Sequence, residues 1–401
     1  MNTVHQLPFK TQFRAAATNT KVTQHDKARS QHMLAGANPH GPLALMQMRH
    51  KHKPSHLHPA DSCQVVGVVN AGVTYLASVT VGSPGTPYDL LIDTGSSNTW
   101  INCTEKPFKP TDTTTDTRKP FQISYGRGDC KGTEYLDQVS LGPGLIIKDQ
   151  SIGVADQAND MNGMGGILGV GPTCLTLGTT ADHEGIPTVM DNLVKQGTIS
   201  QECLSVSYAP TTGENELSGT LCIGGVDKTQ YTGDLTYVPL TKQQPACNYW
   251  GIEQSITYDG VELMPNCAGI SDTGTTLIML PTESFKKYQA ATGAQMDETT
   301  GLLTVTDEQY DCMKSMFFNI GGVQYEFTKN AQLWPRCINT MLGGDEGKKY
   351  LVFADMGDVK VGDGLCFING YALLQRFYSV YDTTNCRLGM ATTEHTMAET
   401  N

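Results

Sequence analysis

The sequence predicts an all-β protein built from two copies of one domain. Three observations carry that reading. From Val65 onward, short β-rich runs such as VTYLASVTVG, YDLLIDTG, FQISYG and TEYLDQVSLG are separated by Gly, Pro, Asn and Asp, the texture of a chain folded into many hairpins. The triplet Asp-Thr-Gly occurs twice, in LLIDTGSS (90–97) and GISDTGTT (269–276), 179 residues apart and so close to one domain length. The 401 residues are too many for one ordinary core and suit two domains of about 150 residues each with extras.

The elements follow in order. Residues 1–60 read as an arm with one helical patch near 23–34 and a Pro/His-rich stretch, HKHKPSHLHP. The repeat then divides the chain into a first domain, 61–236, and a second, 237–401. Each Asp-Thr-Gly is followed later by an apolar-apolar-Gly element, Ile167-Leu168-Gly169 in the first half and Ile368-Asn369-Gly370 in the second. Helical stretches are few: 187–196, 282–292 and 307–316.

Charge separates the arm from the body. Residues 1–60 hold eight Lys/Arg and a single acid, Asp26, and eight of the ten His, whereas the whole chain has a net charge of −12. A basic arm therefore precedes a strongly acidic body. Opposite fields of this kind attract at neutral pH and cease to do so once the carboxylates protonate. The acidic balance argues against nucleic acid as a partner. No run of 18 apolar residues is present, so no membrane-spanning helix is expected. The first residues contain no apolar core of a secretory signal, so either the chain is not exported by that route or its start is missing. The twelve Cys include no CxxC pair and no Cys/His cluster with zinc spacing. Several, such as Cys222 and Cys366, sit in apolar runs and read as small buried thiols.

One Asp-Thr-Gly is a common turn, because Asp bonds its own backbone and Gly permits positive φ. Two copies in a repeated strand context point to more. Pseudo-twofold packing brings Asp93 and Asp272 face to face, and two carboxylates about 3 Å apart cannot both ionise. One acts as base while the other acts as acid. A water between them is deprotonated and driven at an amide carbonyl whose oxygen takes a proton. No metal, cofactor or covalent intermediate is required. Thr94 and Thr273 are placed to lock the turns together, Gly95 and Gly274 to let substrate or water approach, and Ser96 and Thr275 to donate to the outer carboxylate oxygens.

With these residues in view, the chain resembles pepsin-like aspartic endopeptidases, and among them the polyporopepsin-type enzymes of basidiomycete fungi. The resemblance rests on DTGSSNTW (93–100), SYGRGDCKGTEYLDQVSLG (124–142), GILGVGP (166–172), SDTGTTL (271–277) and INGYALLQRFYSVYDTTNCRLGMA (368–391), and spans residues 75–393. It implies a bilobal pepsin-like fold, two pseudo-twofold-related β-barrel-like lobes around a central cleft, cleaving peptide bonds in proteins at acid pH. It implies a hairpin flap over 121–135, with the Tyr125 hydroxyl directed at the indole N–H of Trp100, and Gly126 and Arg127 facing an extended substrate bound as an added strand. It also implies a zymogen whose basic prosegment, 1–60, covers the cleft and ends near 55–65, a monomer, and a secreted or vacuolar protein. The alternative is a non-catalytic peptide- or protein-binding member of the same fold.

The departures from the family pattern set further expectations. Ser271 and Asn369 stand where apolar residues are usual, and a buried Asn369 amide must find partners. Arg127 and Asp129 bring charge to the flap tip; the expectation is hydrophobic residues on both sides of the cut. Cys337 falls where many relatives carry half of a disulfide, with Cys312 as its nearest candidate partner, and Cys103 with Cys130 could tether the flap. Outside the resemblance, His50, His52, His56 and His58 could give a metal two ligands, and Asn102-Cys103-Thr104 is a glycosylation sequon.

Overall fold

The computed structural model describes residues 4–14, 21–35, 72–126, 128–159, 161, 163–182, 184–210, 212 and 217–400. Arg127, the His50–His58 group, Cys63 and the expected end of the prosegment lie outside the described residues. The described strands form sheets of thirteen, seven and three members, and helices are short and few. The fold is the all-β, bilobal one expected.

Each Asp-Thr-Gly grows out of a buried strand. Thr86–Asp93 runs parallel to Gly166–Gly169, with Asp93 opposite Gly169. Val261–Ser271 runs parallel to Ile368–Asn369, with Ser271 opposite Asn369. The repeated apolar-apolar-Gly elements are thus the strands that flank the two turns. Their glycines are dictated by closeness: a Cβ at Gly169 would lie 2.5 Å from the Ser97 carbonyl carbon, and one at Gly370 would lie 2.2 Å from the Leu277 oxygen.

Between the lobes the large sheet is continuous. Cys203–Tyr208 pairs with Phe377–Asp382 on one side and with Leu217–Ile223 on the other. The next strand is His5–Arg14, from the arm. It pairs with Leu217–Ile223 along one edge and Gly72–Val81 along the other, placing Phe9 opposite both Gly219 and Ala77. Phe9 packs against Tyr75 and Tyr208 at ring distances of 5.5 and 5.1 Å, and Gly219 leaves room for its ring. This strand is an interior member of the sheet, not an appendage.

The helices show how local signals set boundaries. Helix α1, Val22–Leu34, lies over the patch read from the sequence. Its buried residues, Val22, Asp26, Arg29, Ser30 and Met33, fall on one face at helical spacing, but three of the five are polar. It therefore docks through hydrogen bonds and charge more than through apolar area. Helix α2, Val189–Lys195, begins at a capping box formed by Thr188 and Asp191. Helix α3, Thr282–Thr292, ends at Gly293 with φ +70°. Helix α4 covers Asp307–Cys312 and not the expected 307–316. Met313 is already extended, and Met316, Phe318 and Ile320 alternate inward on a strand paired with Gly251–Tyr258, a period of two overriding the helical pattern.

Asn369 is fully buried, and its amide finds a partner. It donates to Gln254 Oε1 at 2.8 Å and accepts from Gln254 Nε2 at 3.1 Å, a reciprocal amide pair inside the second lobe. Substituting Asn369→Leu leaves the Gln254 amide buried and unpaired, and is expected to cost about 1–3 kcal/mol in denaturant unfolding. The double variant with Gln254→Leu should recover a substantial part of that loss.

Candidate active site

The two turns meet across the interface of the lobes through a reciprocal pair of threonines. The Thr94 N–H donates to Thr273 Oγ1 and the Thr273 N–H to Thr94 Oγ1, each at 3.0 Å. Each hydroxyl then donates across to the other strand, Thr94 to the Ser271 carbonyl at 3.3 Å and Thr273 to the Ile92 carbonyl at 2.9 Å. Two hydroxyls thereby satisfy two buried N–H and two carbonyl groups, and the turns cannot separate without orphaning them.

Asp93 and Asp272 are both fully buried. Their environments repeat. Asp93 accepts from the Gly95 N–H at 2.9 Å and Ser96 Oγ at 2.5 Å; Asp272 accepts from the Gly274 N–H at 3.0 Å and Thr275 Oγ1 at 2.5 Å. A Cβ at Gly95 would lie 2.5 Å from Asp272 Oδ1, and one at Gly274 would lie 2.3 Å from Asp93 Oδ1. Each carboxylate thus reaches over the glycine of the opposite turn, and any side chain there would close the site.

The profile of the family described as "Eukaryotic aspartyl protease" matches residues 74–393. The chain belongs to that family. It is 50% identical to polyporopepsin of Irpex lacteus over 339 residues, 84% of this chain and 99% of that protein. It is 28% identical to pepsin A of Sus scrofa, over 88% of this chain and 90% of that one. Among solved structures it is similar to the crystal structure of aspartic proteinase from Irpex lacteus, with a TM-score of 0.79 and 50% identity, covering 82% of this chain and 96% of that chain. The protein is an aspartic-type endopeptidase, a hydrolase whose substrates are peptides and proteins.

Over the protease's two carboxylates hangs a hairpin of Thr115–Ser124 and Asp129–Gly142, with Ser124 opposite Asp129. The Trp100 indole N–H donates to Tyr125 Oη at 2.7 Å, and both rings are buried. Phe121, Ile123, Cys130 and Met161 pack around them. Gly126 and Gly128, with φ of +81° and +87°, allow the reversal at the tip, where the Tyr125 N–H donates to the Gly128 carbonyl at 3.0 Å.

The cleft is occupied by the protease's own helix α1. Arg29 Nη2 donates to Asp93 Oδ1 at 2.6 Å and to Asp272 Oδ1 at 3.1 Å, and Nε donates to Asp272 Oδ2 at 2.9 Å. Nη2 thus bridges the two inner oxygens. The small turns accommodate it: a Cβ at Gly95 or Gly274 would lie 2.5 or 2.6 Å from that nitrogen. Burial pushes Asp93 up, aided by the neighbouring carboxylate and opposed by Arg29. Burial acts on Asp272 too, but two donors from Arg29 and the Thr275 hydroxyl hold it below the usual carboxylate range. The guanidinium thus makes a symmetric pair unequal.

Asp26 anchors the same helix. Its Oδ2 accepts from the backbone N–H of Thr276 at 3.1 Å and of Leu277 at 2.8 Å, just beyond the second turn. Lys27 pairs with Asp355 at 3.3 Å, and Gly126 of the flap rests against Ala28 and His32. Sequence reasoning singled out none of these contacts. The available signal was one acid in a basic arm, three residues before an arginine on a helical patch.

One expectation is corrected. Cys312 and Cys337 are not bridged: Cys312 is an exposed thiol closing α4, and Cys337 sits on the separate short 3₁₀ helix Arg336–Leu342. Cys103 and Cys130, buried to different degrees, are also unbonded thiols in the structure. The sequon asparagine, Asn102, is fully buried and donates to the Met164 carbonyl at 3.0 Å, which leaves no room for a glycan in the folded protein. Ser271, the other unusual residue, shares a 2.9 Å hydrogen bond with the Tyr381 hydroxyl, so its polarity is accommodated.

Substituting Thr94→Val orphans the Thr273 N–H and is expected to lower stability by about 1–3 kcal/mol. It should lower kcat more than it changes KM, because it loosens the turns and leaves the substrate groove intact; thermal unfolding and steady-state kinetics check both parts.

Proposed function

We propose that Asp93 and Asp272 are the catalytic pair and that residues 1–60 are a prosegment holding the enzyme latent until acid releases it. Domains 61–236 and 237–401 supply one aspartate each. The observation that carries the reading is Arg29, reaching both carboxylates from a helix that precedes the body of the chain.

With α1 withdrawn, a water takes the place of Nη2 between the inner oxygens. The ionised carboxylate removes a proton from it as it attacks the substrate carbonyl, and the protonated partner delivers a proton to the carbonyl oxygen. The buried site strengthens both interactions. Thr94 and Thr273 hold the turns; Gly95 and Gly274 keep the approach open; Ser96 and Thr275 fix the outer oxygens. Tyr125, held by Trp100, and Gly126 close over an extended substrate. The apolar packing of Phe121, Ile123 and Met161 beneath Tyr125 supports a preference for hydrophobic residues flanking the cut. Peptides cut at Phe-Phe should be hydrolysed faster than the same peptides carrying Lys-Phe; faster cleavage of the lysine peptide sinks this preference. The acidic body and the polar, acid-sensitive docking of the arm support a monomer working outside the cell or in an acidic vacuole.

The pH dependence has a definite sign. Burial, with the Arg29 charge beside it, pushes His32 down to about 4 in the docked helix. A histidine lowered on docking stabilises the docked state above its free pKa of about 6.5. That contribution is lost as pH falls toward 4. Asp272, lowered by Arg29, acts in the same direction: protonation weakens the ion pair that holds α1. Asp93 is raised mainly by burial, while the docked Arg29 pulls it down.

Incubation at about pH 3–5 should yield acid-dependent proteolysis and loss of the N-terminal segment, and Asp93→Asn should abolish cleavage of an added denatured protein. Intact length and no activity, even after another protease has removed the arm, would overturn the assignment. Replacing Arg29→Gln should weaken docking by about 3–5 kcal/mol, since two buried carboxylates lose their cation, and give activity at higher pH than the parent. His32→Gln cannot gain charge and should move the onset of activation to lower pH, read from N-terminal sequencing across a pH series.

A further inference from the structure

We propose that Cys267 and Cys366 are joined by a disulfide in the protein folded under oxidising conditions. Cys267 lies on Val261–Ser271, ahead of Asp272, and Cys366 lies just before Ile368–Asn369. These strands run parallel, with Ile270 opposite Ile368. The pairing continues past the strand end: the Cys366 N–H donates to the Ala268 carbonyl at 2.7 Å, and the Ile270 N–H to the Phe367 carbonyl at 3.1 Å. Cys366 is thereby held against the residue next to Cys267.

The two side chains also influence each other electrostatically across the strands, and the Cys366 thiol donates to the Lys360 carbonyl at 3.3 Å. Both are unbonded thiols in the structure, 5% and 1% exposed. A buried cysteine acting as a small hydrophobe explains either one alone. It does not explain two buried cysteines on neighbouring, hydrogen-bonded segments, which is the backbone proximity that a disulfide needs.

The bond forms by exchange with a low-molecular-weight disulfide such as oxidised glutathione. One cysteine thiolate attacks it and releases one thiol; the second cysteine thiolate attacks the mixed disulfide and releases the other. Two protons leave the cysteines, and two electrons reduce the oxidant to two thiols. Because both cysteines are buried in the folded protein, the exchange takes place during folding. The bond then ties the strand that delivers Asp272 to the strand whose Asn369 carbonyl accepts the Asp272 N–H at 3.0 Å. It staples the base of one active-site turn, independently of how the arm is released.

The full-length protein, produced under oxidising conditions, is denatured in an alkylating reagent without reductant, digested and mapped by mass spectrometry beside a reduced sample. The expected result is a peptide bearing Cys267 joined to one bearing Cys366, lighter than their sum by two hydrogens and absent after reduction. Cys267→Ala or Cys366→Ala should remove this species alone and lower the Tm of the oxidised protein. Alkylated Cys267 and Cys366 on separate peptides, or either joined to another cysteine, overturns the proposal. A variant that fails to fold leaves the parent's peptide map to decide.

Discussion

Everything in the cleft depends on holding two buried carboxylates side by side. Water would separate them, and their mutual repulsion would do the same. The reciprocal threonine bonds prevent this, because parting the turns orphans backbone groups on both strands at once. The glycines that follow each aspartate are a second consequence, since each carboxylate overhangs the opposite turn. The flanking strands, ending in Gly169 and Gly370, are a third. The two-lobed architecture thus serves to present one polar point from two directions.

The same constraint explains why helix α1 meets the cleft through Arg29. A bare pair of carboxylates in a low-dielectric site attracts any cation that reaches it. A guanidinium has several donors in a fixed plane and does not lose its charge at working pH. Arg29 therefore meets both aspartates at once, and the pH dependence falls on its partners and on His32. Helix α1 has little apolar area to hold it. Its buried face is largely polar, so its attachment is governed by protonation more than by the hydrophobic effect.

Much of this was legible in the sequence because it repeats. Two Asp-Thr-Gly triplets with their hydroxyl followers and two apolar-apolar-Gly elements specify both turns and their flanking strands, and the pairing of Trp100 with Tyr125 follows the resemblance. Helix α3 was legible because Pro281 and Gly293 punctuate it. The docking of Arg29 and Asp26 was not. It joins residues 64 to 251 positions apart, and an arm's charge says that it docks on an acidic body but not where. The need of Asn369 for a partner could be stated from chemistry, whereas the identity of Gln254 required the fold. Cys312 failed as a disulfide candidate because proximity in sequence order says nothing about which faces two short helices present.

The arm's first strand has a consequence of a different kind. His5–Arg14 is hydrogen-bonded along both edges, with Leu217–Ile223 on one side and Gly72–Val81 on the other. Removing it opens a slot through the middle of the sheet that joins the lobes, baring two rows of N–H and C=O groups beside the Phe9 cavity. Open edges of this sort recruit whatever extended chain is at hand. On the proposed release of the arm, maturation becomes a problem of substitution as much as of release: the slot would have to be refilled by chain from the same molecule faster than neighbouring molecules can supply it. That competition would set the protein concentration tolerated during such an activation, with crowded samples favouring intermolecular pairing and dilute ones a clean single-chain product.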